Sequence, residues 1–117
     1  MATARVAAPR APHQSRPGRG VLVAERLADL RGPVAGRVEL PIWLFWHPDR
    51  SFDLDLPGML PWMYQIVLRE ASSPADLAYL NGDLLVSLWP ELYLPRGVRQ
   101  AWEERHRVLR GAAAPAA

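Results

Sequence analysis

Apolar positions recur at helical spacing through the second half of the chain and give way to alternation near its middle. The clearest helical pattern runs over about 58–71. There Leu60, Met63, Tyr64, Val67 and Leu68 fall at i, i+3, i+4, i+7 and i+8. Pro61 fits only the first turn of that helix, where a missing N–H is no loss. Ser73-Pro74-Ala75-Asp76 reads as a second helix start: Ser73 is the N-cap, Pro74 takes the first position, and Asp76 faces the positive helix end. Asn81-Gly82 ends that helix and Asp83 caps the next, whose buried stripe is Leu84, Leu85, Leu88, Trp89 and Leu92. Pro90 predicts a break near Ser87 to Trp89. The last helix is predicted over 95–109, with Val98, Ala101, Trp102, Arg105 and Leu109 on one face and Gly111 as its stop. A further helix is predicted over Val21 to Arg31, because Val23, Leu27 and Leu30 share a stripe and Gly32-Pro33 follows.

Between these helices the pattern changes. Val38-Glu39-Leu40 reads as extended and leads through Pro41 into Ile42-Trp43-Leu44-Phe45-Trp46. Phe52-Asp53-Leu54-Asp55 alternates, so Phe52 and Leu54 face inward and the aspartates face water, with Asp55 placed to cap the helix that follows. Large aromatics bury roughly 150–250 Å² each, so the aromatic run is expected to form the centre of the core. Phe45 and at least one of Trp43 and Trp46 are expected against Val67, Leu85, Leu88 and Trp102. The fold class is mainly α: a small bundle of four to five short helices with one extended aromatic segment and a disordered N-terminal tail.

The chain has 117 residues, enough for one domain. Residues 1–20 hold Arg5, Arg10, Arg16 and Arg19 and no acid, among Ala, Pro and Gly. Such a segment buries too little to offset its ordering entropy, so 1–20 is expected to be a disordered basic tail. Residues 21–110 form the single helical domain and 111–117 a frayed end. Without its tail the chain is mildly acidic, which argues against a general nucleic-acid binder, since that class carries basic charge on the fold itself. All fourteen basic residues are arginine, as a GC-rich coding sequence would produce. The absence of cysteine excludes disulfides, thiolate metal sites and a cysteine nucleophile. No apolar run reaches membrane-spanning length and the tail lacks a signal-peptide core, so no membrane is expected and the location is expected to be cytoplasmic.

Candidate chemistry is sparse. Asp49, Asp53 and Asp55 with His47 form an acidic cluster, without the central Gly and terminal Glu of a calcium loop, and read as a solvated turn. His13, His47 and His106 have no partner at triad or ligand spacing. No glycine-rich phosphate loop and no nucleophile elbow is present, so the chain is read as non-enzymatic with no cofactor and no metal. Residues 74–81 and 83–92 have the length of a helix-turn-helix. The would-be reading helix, however, carries Asp83 and Glu91 and no Arg, Lys, Asn or Gln to address base edges. The last helix carries Arg96, Arg99, Arg105, Arg107 and Arg110, read as a solvated face or a docking site for phosphate or an acidic surface.

The order of features resembles a family of small prokaryotic proteins encoded beside AbiEii-type nucleotidyltransferase toxins. The resemblance is carried by Leu44-Phe45-Trp46, Asp53-Leu54-Asp55, Tyr64-Gln65-Ile66-Val67-Leu68-Arg69-Glu70, Pro74-Ala75-Asp76-Leu77, Leu88-Trp89 and Leu94-Pro95 to Trp102. It covers roughly residues 40–105. It implies an antitoxin or accessory partner of a nucleotidyltransferase-type toxin and transfers no catalytic residue. The alternative class is a small DNA-binding regulator using the basic tail and the last helix. Exposed aromatics and arginines dominate binding hot spots, so the candidate partner-binding residues are Trp62, Arg96, Arg99 and Arg105.

Overall fold

The computed structural model describes residues 14–16 and 19–113. The fold is mainly α. Its central helix, α1 (Met59–Glu70), lies where the apolar stripe predicts and buries Met63, Tyr64, Ile66, Val67 and Leu68. Pro61 sits in the first turn, and the Ala71 N–H closes the helix on Val67 O at 2.9 Å. Tyr64 is fully enclosed, and its hydroxyl accepts the Asn81 N–H at 2.8 Å. Burial pushes the Tyr64 phenol above its usual value, against the opposing effect of that donated N–H.

Beside α1 lies a two-stranded antiparallel ladder. Arg37–Glu39 and Ser51–Asp53 pair with Val38 opposite Phe52. Phe52 and Leu54 face the core, as their alternation predicts. The aromatic run is the connection between these strands, and here the expectation of a core centre fails. Leu40 and Leu44 are buried, Phe45 is half-buried, and Ile42, Trp43 and Trp46 face outward. The cause is a single turn begun at Pro41, whose carbonyl accepts from Leu44 N and Phe45 N at 3.0 and 3.2 Å. One turn brings Leu40 and Leu44 onto the inner side and throws their neighbours outward. Phe45 therefore packs against Phe52 and Trp62, with ring centroids at 5.6 and 5.7 Å, and not against Trp102.

The core centre is built instead from the second half of the chain. Ser73-Pro74-Asp76 starts a helical segment as predicted, with Asp76 also reaching back to the Ser73 N–H in a capping box, but the segment Pro74–Tyr79 is a 3₁₀ helix. The next helix, α2 (Gly82–Leu88), is capped by Asn81, whose Oδ1 accepts from Leu84 N at 3.1 Å; Asp83 is not its cap. Pro90 breaks the pattern into a 3₁₀ turn, Trp89–Glu91. Leu85, Trp89 and Leu92 are buried from this stretch, while Leu84 and Leu88 are half-buried.

The predicted last helix is two helices, α3 (Arg96–Arg105) and α4 (Arg107–Ala113). The break is at His106, with φ −126° and ψ 91°. Its N–H closes α3 on Trp102 O at 2.8 Å, and its buried ring places Nε2 2.6 Å from Ala24 O. A long-range bond thus decides the break, and spacing along the helix carries no trace of it. Gly111 lies inside α4 and does not end it. Trp102 and Leu109 are fully buried, and Trp89 and Trp102 meet at 6.5 Å.

The helix expected over Val21 to Arg31 does not form beyond a 3₁₀ turn at Leu27–Asp29. This segment is drawn against the backbone of 79–82. Gly32 N donates to Leu80 O at 2.7 Å and Gly82 N to Leu30 O at 2.9 Å. A Cβ on Gly32 would lie 2.5 Å from Tyr79 C, and one on Gly82 2.3 Å from Leu27 O. Gly32 is therefore a site of backbone contact, where the helix reading took it for a cap. Within residues 1–20, Gln14–Arg16 pairs antiparallel with Arg19–Gly20 and runs beside α3. The rest of the tail before residue 19, and residues 114–117, lie outside the described residues.

Candidate functional site

The connection 40–50 is held at many points. Leu40 N donates to Arg50 O at 3.0 Å. The Arg50 guanidinium bridges the loop, donating to Leu40 O at 2.9 Å and His47 O at 3.1 Å and meeting Glu39 at 3.4 Å. His47 stacks on Phe45 at 5.3 Å with 10° between planes, and its Nδ1 accepts the Asp49 N–H at 3.0 Å. Phe45 and Phe52 in turn take Trp62 edge-on, with centroids at 5.7 and 5.2 Å.

A second anchor reaches the loop from the other side. The Trp43 indole N–H donates to Asp76 Oδ1 at 2.9 Å. Asp76 is 4% exposed, and its Oδ2 accepts from Ser72 N at 3.0 Å and Ser73 N at 3.2 Å. Burial on its own raises the Asp76 carboxyl. The donors from Ser72, Trp43 and Ser73 together outweigh it and hold the group below its ordinary value of 3.8. One carboxylate thus caps the Pro74–Tyr79 segment and fixes the aromatic loop.

The result is a rigid loop with apolar side chains turned to solvent. Trp46 is 85% exposed, Trp43 66% and Ile42 44%. Two clefts flank them. One of about 400 Å³ lies among Trp43, Trp46, Arg69 and Glu70, and one of about 250 Å³ among Ile42, Trp46, Pro48 and Arg50. Arg69 Nε meets Glu70 Oε2 at 3.1 Å.

The residues singled out from sequence fall in two places. Trp62 is 44% exposed and borders the aromatic loop through Phe45. Arg96 and Arg105 are exposed on α3. Arg99 is engaged by the fold itself. Its guanidinium lies 5.0 Å from the Trp89 ring centroid, donates to Trp89 O at 3.3 Å and also to Leu92 O, and faces Glu103 at 3.7 Å. The acidic cluster is turn chemistry: Asp49 accepts from Ser51 N, Asp53 from Asp55 N, and Asp55 from Gly36 N. The helix-turn-helix candidate resolves into a 3₁₀ segment and a seven-residue helix. Among the described residues no helix is long and apolar enough to cross a membrane.

Ile42, Trp43 and Trp46 were not picked out as surface residues from sequence. Their signal was the pairing of 37–39 with 51–53, which makes everything between them a loop, and loops run over the surface. Compared with known proteins, the chain matches no family model, no curated protein and no solved structure.

Proposed function

We propose that this chain is a non-enzymatic interaction protein that docks a partner protein on the loop of Ile42, Trp43 and Trp46, with Trp62 at its border. The observation that carries the reading is the outward placement of two tryptophans and an isoleucine on a loop held by Arg50, His47 and Asp76. Exposed aromatics are costly in solvent and are the side chains richest in binding hot spots. A loop already fixed in shape loses little entropy on binding. The partner class implied by the resemblance, a nucleotidyltransferase-type toxin, is the first to test, and masking such a toxin is the role proposed.

The test is co-expression with the product of the neighbouring gene, followed by titration of the purified components. The expected result is a stoichiometric complex that Trp46→Ala weakens by about 2 kcal/mol without change in folding. Arg96→Glu and Arg105→Glu report whether α3 shares the interface. A neighbour that does not bind, or binds Trp46→Ala as tightly as the parent, overturns the proposal.

A further inference from the structure

The ladder of Arg37–Glu39 and Ser51–Asp53 has one edge closed by the chain and one left open. Leu40 N donates to Arg50 O at 3.0 Å and Leu54 N to Gly36 O at 2.8 Å. These bonds fix the phase of the ladder. Positions 36, 38 and 40 address the facing strand, so Arg37 and Glu39 turn their N–H and C=O groups away from it. Ser51 and Asp53 turn theirs away on the other side. There the chain closes the edge itself: Ser51 N donates to Asp49 Oδ1 at 3.1 Å, and Asp53 O accepts the Leu56 N–H at 3.0 Å. Among the described residues nothing takes the outward backbone groups of Arg37 and Glu39, and both residues are exposed. An open edge is a template for another strand. Charges on an edge deter pairing where like signs meet, but here opposite signs stand on either side of Val38. An antiparallel strand of the same sequence, related by a two-fold axis at Val38, sets Arg37 opposite Glu39 at both ends. The outward backbone groups fall in the same register, with Arg37 and Glu39 of opposite copies exchanging both N–H and C=O bonds.

We propose that the Arg37–Glu39 edge pairs with the same edge of a second copy of this chain, in the antiparallel register centred on Val38. The two ladders then form one continuous sheet. Val38 lies opposite Phe52 and packs on the core, so at the axis it meets its own copy and carries the apolar face across the join. The charged face of each ladder is balanced: Arg37 and Arg50 stand with Glu39 and Asp53. Glu39 meets Arg50 through Oε2 at 3.4 Å, and its side chain is 71% exposed, which leaves Oε1 for the guanidinium of the second copy. Two copies therefore approach without net repulsion. The join is short, so association is reversible and grows with concentration. It uses a surface other than the docking loop and does not depend on the partner proposed for that loop.

Sedimentation equilibrium of the full chain, from micromolar to about 1 mM, measures the association. The parent is expected to pass from monomer towards dimer as concentration rises. Amide exchange at Arg37 and Glu39 is expected to slow over the same range, while Val38, bonded within the ladder, is protected at every concentration. Arg37→Glu sets acid opposite acid and Glu39→Arg sets base opposite base. Each alone is expected to weaken association at least about tenfold. Mixed in equal amounts, the two variants are expected to restore it, because every acid then faces a base. Both side chains are exposed, so thermal melts of the two variants should match the parent. Trp46→Ala is expected to dimerise as the parent does. A monomer throughout, exchange at Arg37 and Glu39 that ignores concentration, or single variants that dimerise like the parent overturns the proposal. So does a mixture that stays monomeric, or dimerisation lost in Trp46→Ala, which would move the interface to the docking loop. The exchange measurement uses the parent chain alone and stands whatever the variants do.

Discussion

Replacing Arg99 by methionine tests whether its guanidinium belongs to the fold or to the surface. Methionine keeps most of the stem and removes the charge. The carbonyl of Leu92 loses its donor, and Trp89 O keeps only the Leu92 N–H at 3.3 Å. Bonds from a charged donor are worth about 1.5–3 kcal/mol each. The side chain is 27% exposed, so about 1 kcal/mol for each of the two carbonyls is the fitting figure. The stack over Trp89 adds about 0.5–1 kcal/mol. The ion pair with Glu103 is partly solvated and adds little. Arg99→Met is therefore expected to lose about 2–3 kcal/mol, which for a domain of this size lowers Tm by roughly 10–20 °C. Arg96→Met and Arg105→Met, on the same helix but exposed, are expected to stay within about 0.5 kcal/mol. Urea unfolding followed by tryptophan emission measures all three. An Arg99→Met midpoint equal to that of Arg96→Met would falsify the assignment of Arg99 to the fold.

Three further outcomes follow from the same geometry. The folded Asp76 pKa lies below the unfolded one, so its contribution is fully present above the unfolded value and is lost as pH falls through the folded value; melts taken from pH 5 downward should fall more steeply for the parent than for Asp76→Asn. Gly32→Ala and Gly82→Ala each push a methyl into backbone 2.5 and 2.3 Å away and should cost more than about 2 kcal/mol, whereas Gly111→Ala, in open space within a helix, should gain about 0.5–1 kcal/mol by thermal melting. Trp46→Ala should leave Tm almost unchanged while Trp89→Ala, which empties a fully buried site, should lose about 3–5 kcal/mol in denaturant titration.

Local signals in the sequence were read well where they acted locally. The stripe of α1, the Ser73-Pro74-Asp76 start, the Pro90 break and the inward Phe52 and Leu54 all depend on neighbours a few residues away. The larger misreadings of the helices have distant causes. The helix at 21–31 yields to backbone bonds with Leu80 and Gly82, and the last helix breaks where His106 reaches Ala24. Arg99 was read as a free surface charge because nothing in α3 shows that Trp89 and Leu92 present their carbonyls to it. The aromatic loop was the costliest case. Hydrophobicity predicted burial, but the turn at Pro41 admits only every fourth residue to the core, and that turn is visible only once the flanking strands are paired.

The bond between His106 and Ala24 spans 82 positions, and this has a consequence during synthesis. A ribosome adds about 5–20 residues per second. Ala24 is therefore made roughly 4–16 s before the residue that fixes it. Through that interval Val21, Leu22 and Val23 lack the bond that fixes Ala24 beside them. The nascent chain leaves the exit tunnel with an apolar segment uncovered, and the domain closes only when almost all of it has been made. Holding chaperones are expected to meet this protein at that segment, and slowing translation late in the message should lengthen the encounter.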